Sequence, residues 1–105
     1  MYIPLSDNKT KGHFQEIVDD TLLLSEGMRD IEQNIIWNSI VNQLQDIKVM
    51  IIEKQAFSDW EEIYDRYTLG TIAVREFTEG DEMQIRLCDI FWGAVHYSEL
   101  ESTEN

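Results

Sequence analysis

Basic residues are scarce in this chain. Eight lysines and arginines stand against 21 aspartates and glutamates, a formal net charge of −13 over 105 residues. Such a field repels phosphate backbones and anionic headgroups, so neither direct nucleic-acid binding nor a membrane surface is expected. Cysteine is nearly missing as well. Cys88 stands alone, which excludes an internal disulfide framework. No apolar run exceeds four residues (Val49 to Ile52 is one), far short of the roughly 20 that span a bilayer. The opening Met1-Tyr2-Ile3-Pro4 has no basic stretch leading into an apolar one. No signal peptide is therefore expected, and the reducing cytoplasm is the expected compartment.

Chemically reactive patterns are equally thin. The two histidines, His13 and His96, stand in no H-x-x-x-H or H-E-x-x-H arrangement, and the five glycines are too scattered to cradle a phosphate. Cys88 falls among apolar residues, as a packed thiol does. The nearest approach to catalysis is acids spaced i, i+3: Glu62 with Asp65, Glu76 with Glu79, Glu79 with Glu82. Some helical nucleotide pyrophosphohydrolases hold Mg²⁺ with that spacing. In so acidic a chain it arises about as often as chance would give. The expectation is a protein that is no enzyme and carries no cofactor or metal.

What is present is enough to fold. Hydrophobic residues make up 43% of the chain, three of them tryptophans. A single domain over 1–105 can bury about 60–70% of its unfolded surface unaided. Pro4 and the polar stretch after it read as a flexible N-terminal arm over about 1–10, and 102–105 as a tail. Thirteen isoleucines against three alanines suggest an AT-rich bacterial or phage genome.

Periodicity predicts an all-α bundle of about four helices. The first runs from about Lys11 to Ser25, capped by Thr10, with Phe14, Ile17, Val18, Thr21, Leu22, Ser25 and Met28 on one side. Gly27 marks a break. A long second helix, about Arg29 to Lys54, carries the stripe Trp37, Ile40, Val41, Leu44, Ile47, Ile51. Ile31 and Ile35 face away from that stripe and need a separate cover. The third helix opens with Ser58-x-x-Glu61, a capping box, and ends at Gly70, with Trp60, Tyr64 and Tyr67 turned to the core. Residues 71–88 allow two readings. Alternation of Met83, Ile85 and Leu87 around "TEGD" suits a β-hairpin, which would make the fold α+β. Asp81-x-x-Gln84 followed by Leu87, Cys88, Phe91, Ala94 and Val95 suits a last helix from about Asp81 to Glu101, the preferred reading.

That helix would expose a narrow strip of Glu82, Arg86, Asp89, Gly93, His96 and Leu100, with Trp92 at its margin. Charge is lopsided too: nine acids and five bases in residues 1–54, twelve acids and three bases in 55–105. An acidic surface with aromatic anchors and no reactive centre is suited to holding a basic protein. The expected class is an inhibitor: an immunity protein, an antitoxin or a phage-type nucleic-acid mimic, facing a nuclease or other nucleic-acid-binding protein. Its expected contact residues are Glu61, Glu62, Asp65, Asp89, Trp92 and His96. The alternative is a regulatory or assembly module that dimerises through Ile31 and Ile35.

Overall fold

In the computed structural model, residues 1–102 are described. They form five α-helices: α1 Lys11–Ile31, α2 Ile35–Ile47, α3 Trp60–Arg66, α4 Leu69–Glu76 and α5 Glu82–Val95. Short 3-10 turns precede α1 (Leu5–Asp7) and follow α5 (Tyr97–Glu99), and a π-helical segment, Lys48–Glu53, prolongs α2. The all-α expectation holds with one more helix than foreseen. Residues 103–105, most of the expected tail, lie outside the described part.

Helix α5 is the hub. It packs against α1 on one side and against α3 and α4 on the other, and α1 also packs along α2. Every residue of the α2 stripe, Trp37 through Ile51, is buried, as are Phe14, Ile17, Val18, Thr21 and Ser25 of α1. Phe14, Ile17, Val18 and all of the α2 stripe but Val41 meet Leu87, Ile90 and Ala94 of α5 in one continuous core. Gly93 permits the closest approach: a Cβ built there would lie 2.5 Å from the Phe14 ring and 2.8 Å from Leu5 Cδ2.

Several boundaries depart from the periodicity. Gly27 does not end α1, which runs through it to Ile31. An interior glycine costs about 1 kcal/mol relative to alanine, which the partly buried Met28 beyond it, packed on the core, helps offset. The break comes instead at Glu32–Asn34. There the Asn34 side chain accepts from the Ile36 amide (3.1 Å), and the buried Trp37 indole donates to Glu32 Oε2 (2.8 Å). The predicted long second helix is therefore a corner followed by a shorter one. Ile31 and Ile35 sit at this corner, 78% and 82% exposed.

The hairpin alternative at 71–88 is overturned: no strand occurs among the described residues. One side chain explains much of this. Gln84 Oε1 accepts from the Gly80 amide (3.1 Å), while Gln84 Nε2 donates to the carbonyls of Ala73 (3.2 Å) and Phe77 (3.4 Å), satisfying the end of α4. Asp81 caps α5 by accepting from the Met83 amide (2.8 Å), and Gly80, at φ +89°, supplies the left-handed turn before it. The capping residue of α3 is also one place later than the capping box implied: Asp59, not Ser58, accepts from the Glu61 amide (2.9 Å). Gly70 is no helix stop but lies within α4. The last helix gives way to the 3-10 turn at Tyr97 instead of running on to Glu101.

Candidate functional site

The strip expected to be exposed on α5 is largely covered. Residues before α1 lie across it: Tyr2 Oη donates to Asp89 Oδ2 (2.6 Å), the Leu5 amide donates to the same oxygen (3.2 Å), and Leu5 itself is buried. Burial first, and then the Asp89 hydrogen bond, push the Tyr2 phenol far above its ordinary pKa. Arg86 stacks over the Tyr2 ring at 4.5 Å and reaches both Glu82 (3.0 Å) and Thr21 Oγ1 (3.2 Å). Gly93 and Leu100 are buried. Asp89 thus serves to hold the chain's first residues against α5, and it stands apart from the other expected contact residues.

Open apolar surface appears on the other flank of α5, where α3 and α4 meet it. Helix α3 has only seven residues. Tyr67 leaves it with extended backbone and, with Ile63, turns into the core. Trp60 and Tyr64 fall on the flank instead, 58% and 56% exposed, which corrects their assignment to the core. They begin an edge-to-face aromatic series: Trp60 to Tyr64 at 6.2 Å between centroids, then Tyr64 to Phe91 of α5 at 5.5 Å. Gly70 lies beneath Phe91, where a Cβ would come within 3.2 Å of the ring. Trp92, 44% exposed, stacks on His96 at 4.4 Å, and His96 Nδ1 pairs with Glu99 Oε2 at 2.6 Å.

These side chains enclose a groove of about 630 Å³, lined by Trp60, Tyr64, Val74, Cys88, Phe91, Trp92, Val95 and His96, with Gly70 and Glu99 at its borders. Its walls are almost wholly carbon. Cys88 is half-buried there, and burial raises its thiol pKa, so it stays protonated and unreactive at neutral pH.

Charge distinguishes the α3 wall. Ser58 to Asp65 holds four exposed acids (Asp59, Glu61, Glu62, Asp65) and no base. None of the four is in an ion pair among the described residues. The nearest base in sequence, Arg66, is taken up by Asp46 through two hydrogen bonds of 2.7 and 3.0 Å. Those bonds hold the Asp46 carboxyl below its ordinary range, and Tyr67 Oη adds a third at 2.6 Å. Of the six residues expected to bind a partner, Glu61, Glu62 and Asp65 share α3, while Trp92 and His96 line the groove beside it. Sequence reading missed Trp60, Tyr64 and Val74 as surface residues and Phe91 as a partly buried member of the groove wall. The signal available was the Tyr67-Thr68-Leu69-Gly70 stretch, too weakly helical to continue α3.

Among the described residues, no three His, Cys, Asp or Glu side chains converge as metal ligands do. Among the same residues, no helix is long and apolar enough to cross a membrane. The described residues thus form an all-helical scaffold with an apolar groove beside carboxylates that are in none of its ion pairs. The Tsi6 family model matches residues 14–96, so the chain belongs to the Tsi6 family, a family of type VI secretion immunity proteins. No curated protein and no solved structure matches it.

Proposed function

We propose that this chain neutralises a toxin of a type VI secretion system by docking the α3–α5 face onto a basic surface of that toxin. The observation carrying this reading is the juxtaposition of half-exposed Trp60, Tyr64 and Trp92 with four acids in no ion pair among the described residues, three on α3 and Asp59 at its N-cap. Desolvated aromatics supply affinity at protein interfaces, and complementary charge accelerates encounter. Glu61, Glu62 and Asp65 act in steering; Trp92 and His96 belong to the contact itself. The protein does no chemistry on the toxin, and occlusion is sufficient.

The test uses the type VI toxin that co-purifies with this chain from its native host. Reversing Glu61, Glu62 and Asp65 together to lysine should slow association about tenfold or more at low salt and leave dissociation nearly unchanged. At 0.5 M salt the difference should shrink, because the Debye length falls to a few ångströms. Equal association rates for the two proteins at low salt would remove electrostatic steering from the account.

Ile31 and Ile35 motivate a second reading that does not exclude the first. Two such residues at one corner, nearly as exposed as in an unfolded chain, suit an isologous contact between two copies. Light scattering should then report a dimer that Ile35→Glu converts to monomer; a wild-type monomer at high concentration rules the contact out.

A further inference from the structure

The groove does not stand alone. A second depression of about 530 Å³ shares Tyr64, Gly70, Val74 and Phe91 with it and extends to Asp65, Tyr67 and Arg75. A third, of about 240 Å³, shares Trp60, Val95 and Glu99 and extends to Ser58, Asp59 and Gln55. The three depressions adjoin through these shared residues along α3, the middle one apolar and the outer two more polar. The α3 side is acidic along its length. Arg75 contributes a cation at the Asp65 end, and at the other end His96 already engages Glu99. Asp59 is in no ion pair among the described residues.

From this pattern we infer the chemistry of the occupant: a toxin segment with large aliphatic or aromatic side chains seated between Trp60, Phe91 and Trp92, and Lys or Arg along the edge that faces α3. The inference rests on the proposed immunity function and specifies its contact. Backbone pairing cannot provide the recognition, because a helical groove offers no sheet edge to extend. Side chains must provide it, and the groove's carbon walls exclude a segment whose inserted residues are charged. A volume of about 630 Å³ accommodates more than one large side chain, so the segment presents a cluster and not a lone anchor. An acidic segment would meet the four carboxylates of α3 and its N-cap and is disfavoured by charge.

The probe is a phage-displayed library of random peptides, selected at low salt on the full chain. Val74→Trp serves for counter-selection: residue 74 is 70% exposed, so the larger side chain fills the groove without entering the core. Val74→Arg, which adds a cation to the same wall, provides an independent second block. Recovered peptides should combine Leu, Ile, Phe or Trp with Lys or Arg and bind either variant about tenfold or more weakly. Their binding should also perturb the fluorescence of Trp60 and Trp92. Recovery of no common pattern, of acidic peptides, or of peptides that bind both variants as well as wild type overturns the inference.

Protection of cells against the co-purified toxin separates the two claims. If wild type and both variants protect equally, the groove is not the contact, while immunity stands. If wild type fails to protect yet selects basic apolar peptides, immunity to that toxin fails, while the groove's chemistry stands.

Discussion

Truncating Trp60 and Trp92 to alanine should weaken toxin binding by about 30- to 1000-fold each, with little change in thermal stability. Buried aromatic anchors at protein interfaces typically contribute about 2–4 kcal/mol, and each factor of ten in affinity corresponds to about 1.4 kcal/mol. Both side chains are about half exposed in the free protein, so removing them costs the fold little. Trp92 would forfeit its stack on His96 and the approach of Lys9 Nζ, 5.8 Å from its ring, both of them surface contacts. The loss should appear mainly as faster dissociation, the opposite kinetic signature to charge reversal on α3. Trp37 provides the control. It is 4% exposed, packs edge-to-face on Phe77 at 5.7 Å and donates to Glu32, so its truncation should destabilise the protein whatever it does to binding. Calorimetric titration together with surface-based kinetics would measure both quantities. Affinity unchanged by both Trp60→Ala and Trp92→Ala would move the contact off this face.

The second large effect belongs to the scaffold. Gly93→Ala should lower stability by about 2 kcal/mol, a fall of roughly 10 °C in melting temperature for a domain of this size. Alanine favours a helix over glycine by about 1 kcal/mol, so the substitution would stabilise an open position. At 93 the new methyl would lie 2.5 Å from the Phe14 ring and 2.8 Å from Leu5, and both are fully packed. Overpacking therefore outweighs propensity. Gly27 offers the same exchange with the opposite sign: nothing lies within 4 Å of a Cβ there, and Gly27→Ala should raise stability by up to about 1 kcal/mol. Thermal melts of the two variants decide the matter; a Gly93→Ala protein as stable as wild type would mean that Phe14 and Leu5 move aside freely.

The contrast between these glycines shows where the sequence was readable. Apolar periodicity identified the α2 stripe and most of the buried face of α1, because both are long enough for a 3.6-residue period to dominate; it missed His13, which is buried and within 2.8 Å of the Ile3 carbonyl. Ends were harder. Breaks depend on local hydrogen bonding, and Asn34, Asp59 and Gln84 satisfy backbone groups in ways that composition does not reveal. The hairpin signal around Met83–Leu87 failed because the side chain of Gln84, between two apolar residues, closes the α4–α5 turn, a contact that alternation cannot anticipate. Site residues divided along the same line. Glu61, Glu62 and Asp65 were read as the outer face of the third helix and are exposed, since an exposed carboxylate needs no partner to explain it. Trp60 and Tyr64 were assigned inward because aromatics at helical spacing usually are. Only the abrupt end of α3 at Arg66 and the turn of Tyr67 into the core leave them on the surface. Asp89 was read as open to solvent, and that failed for a long-range reason: the residues that cover it come from the opposite end of the chain.

A contact face composed of helices has a consequence for how such a protein changes over generations. Most backbone amides and carbonyls in α3, α4 and α5 are committed to their own helices or to capping side chains, so in the proposed contact partner choice would rest with a handful of exposed side chains, Val74 and Trp60 among them. Exposed as they are, those positions contribute little to the core. On that proposal, single substitutions there would redirect which toxin is tolerated while Phe14, Gly93 and the α2 stripe keep the scaffold unaltered, so that toxin and antidote could diverge in step without either passing through an unfolded intermediate sequence.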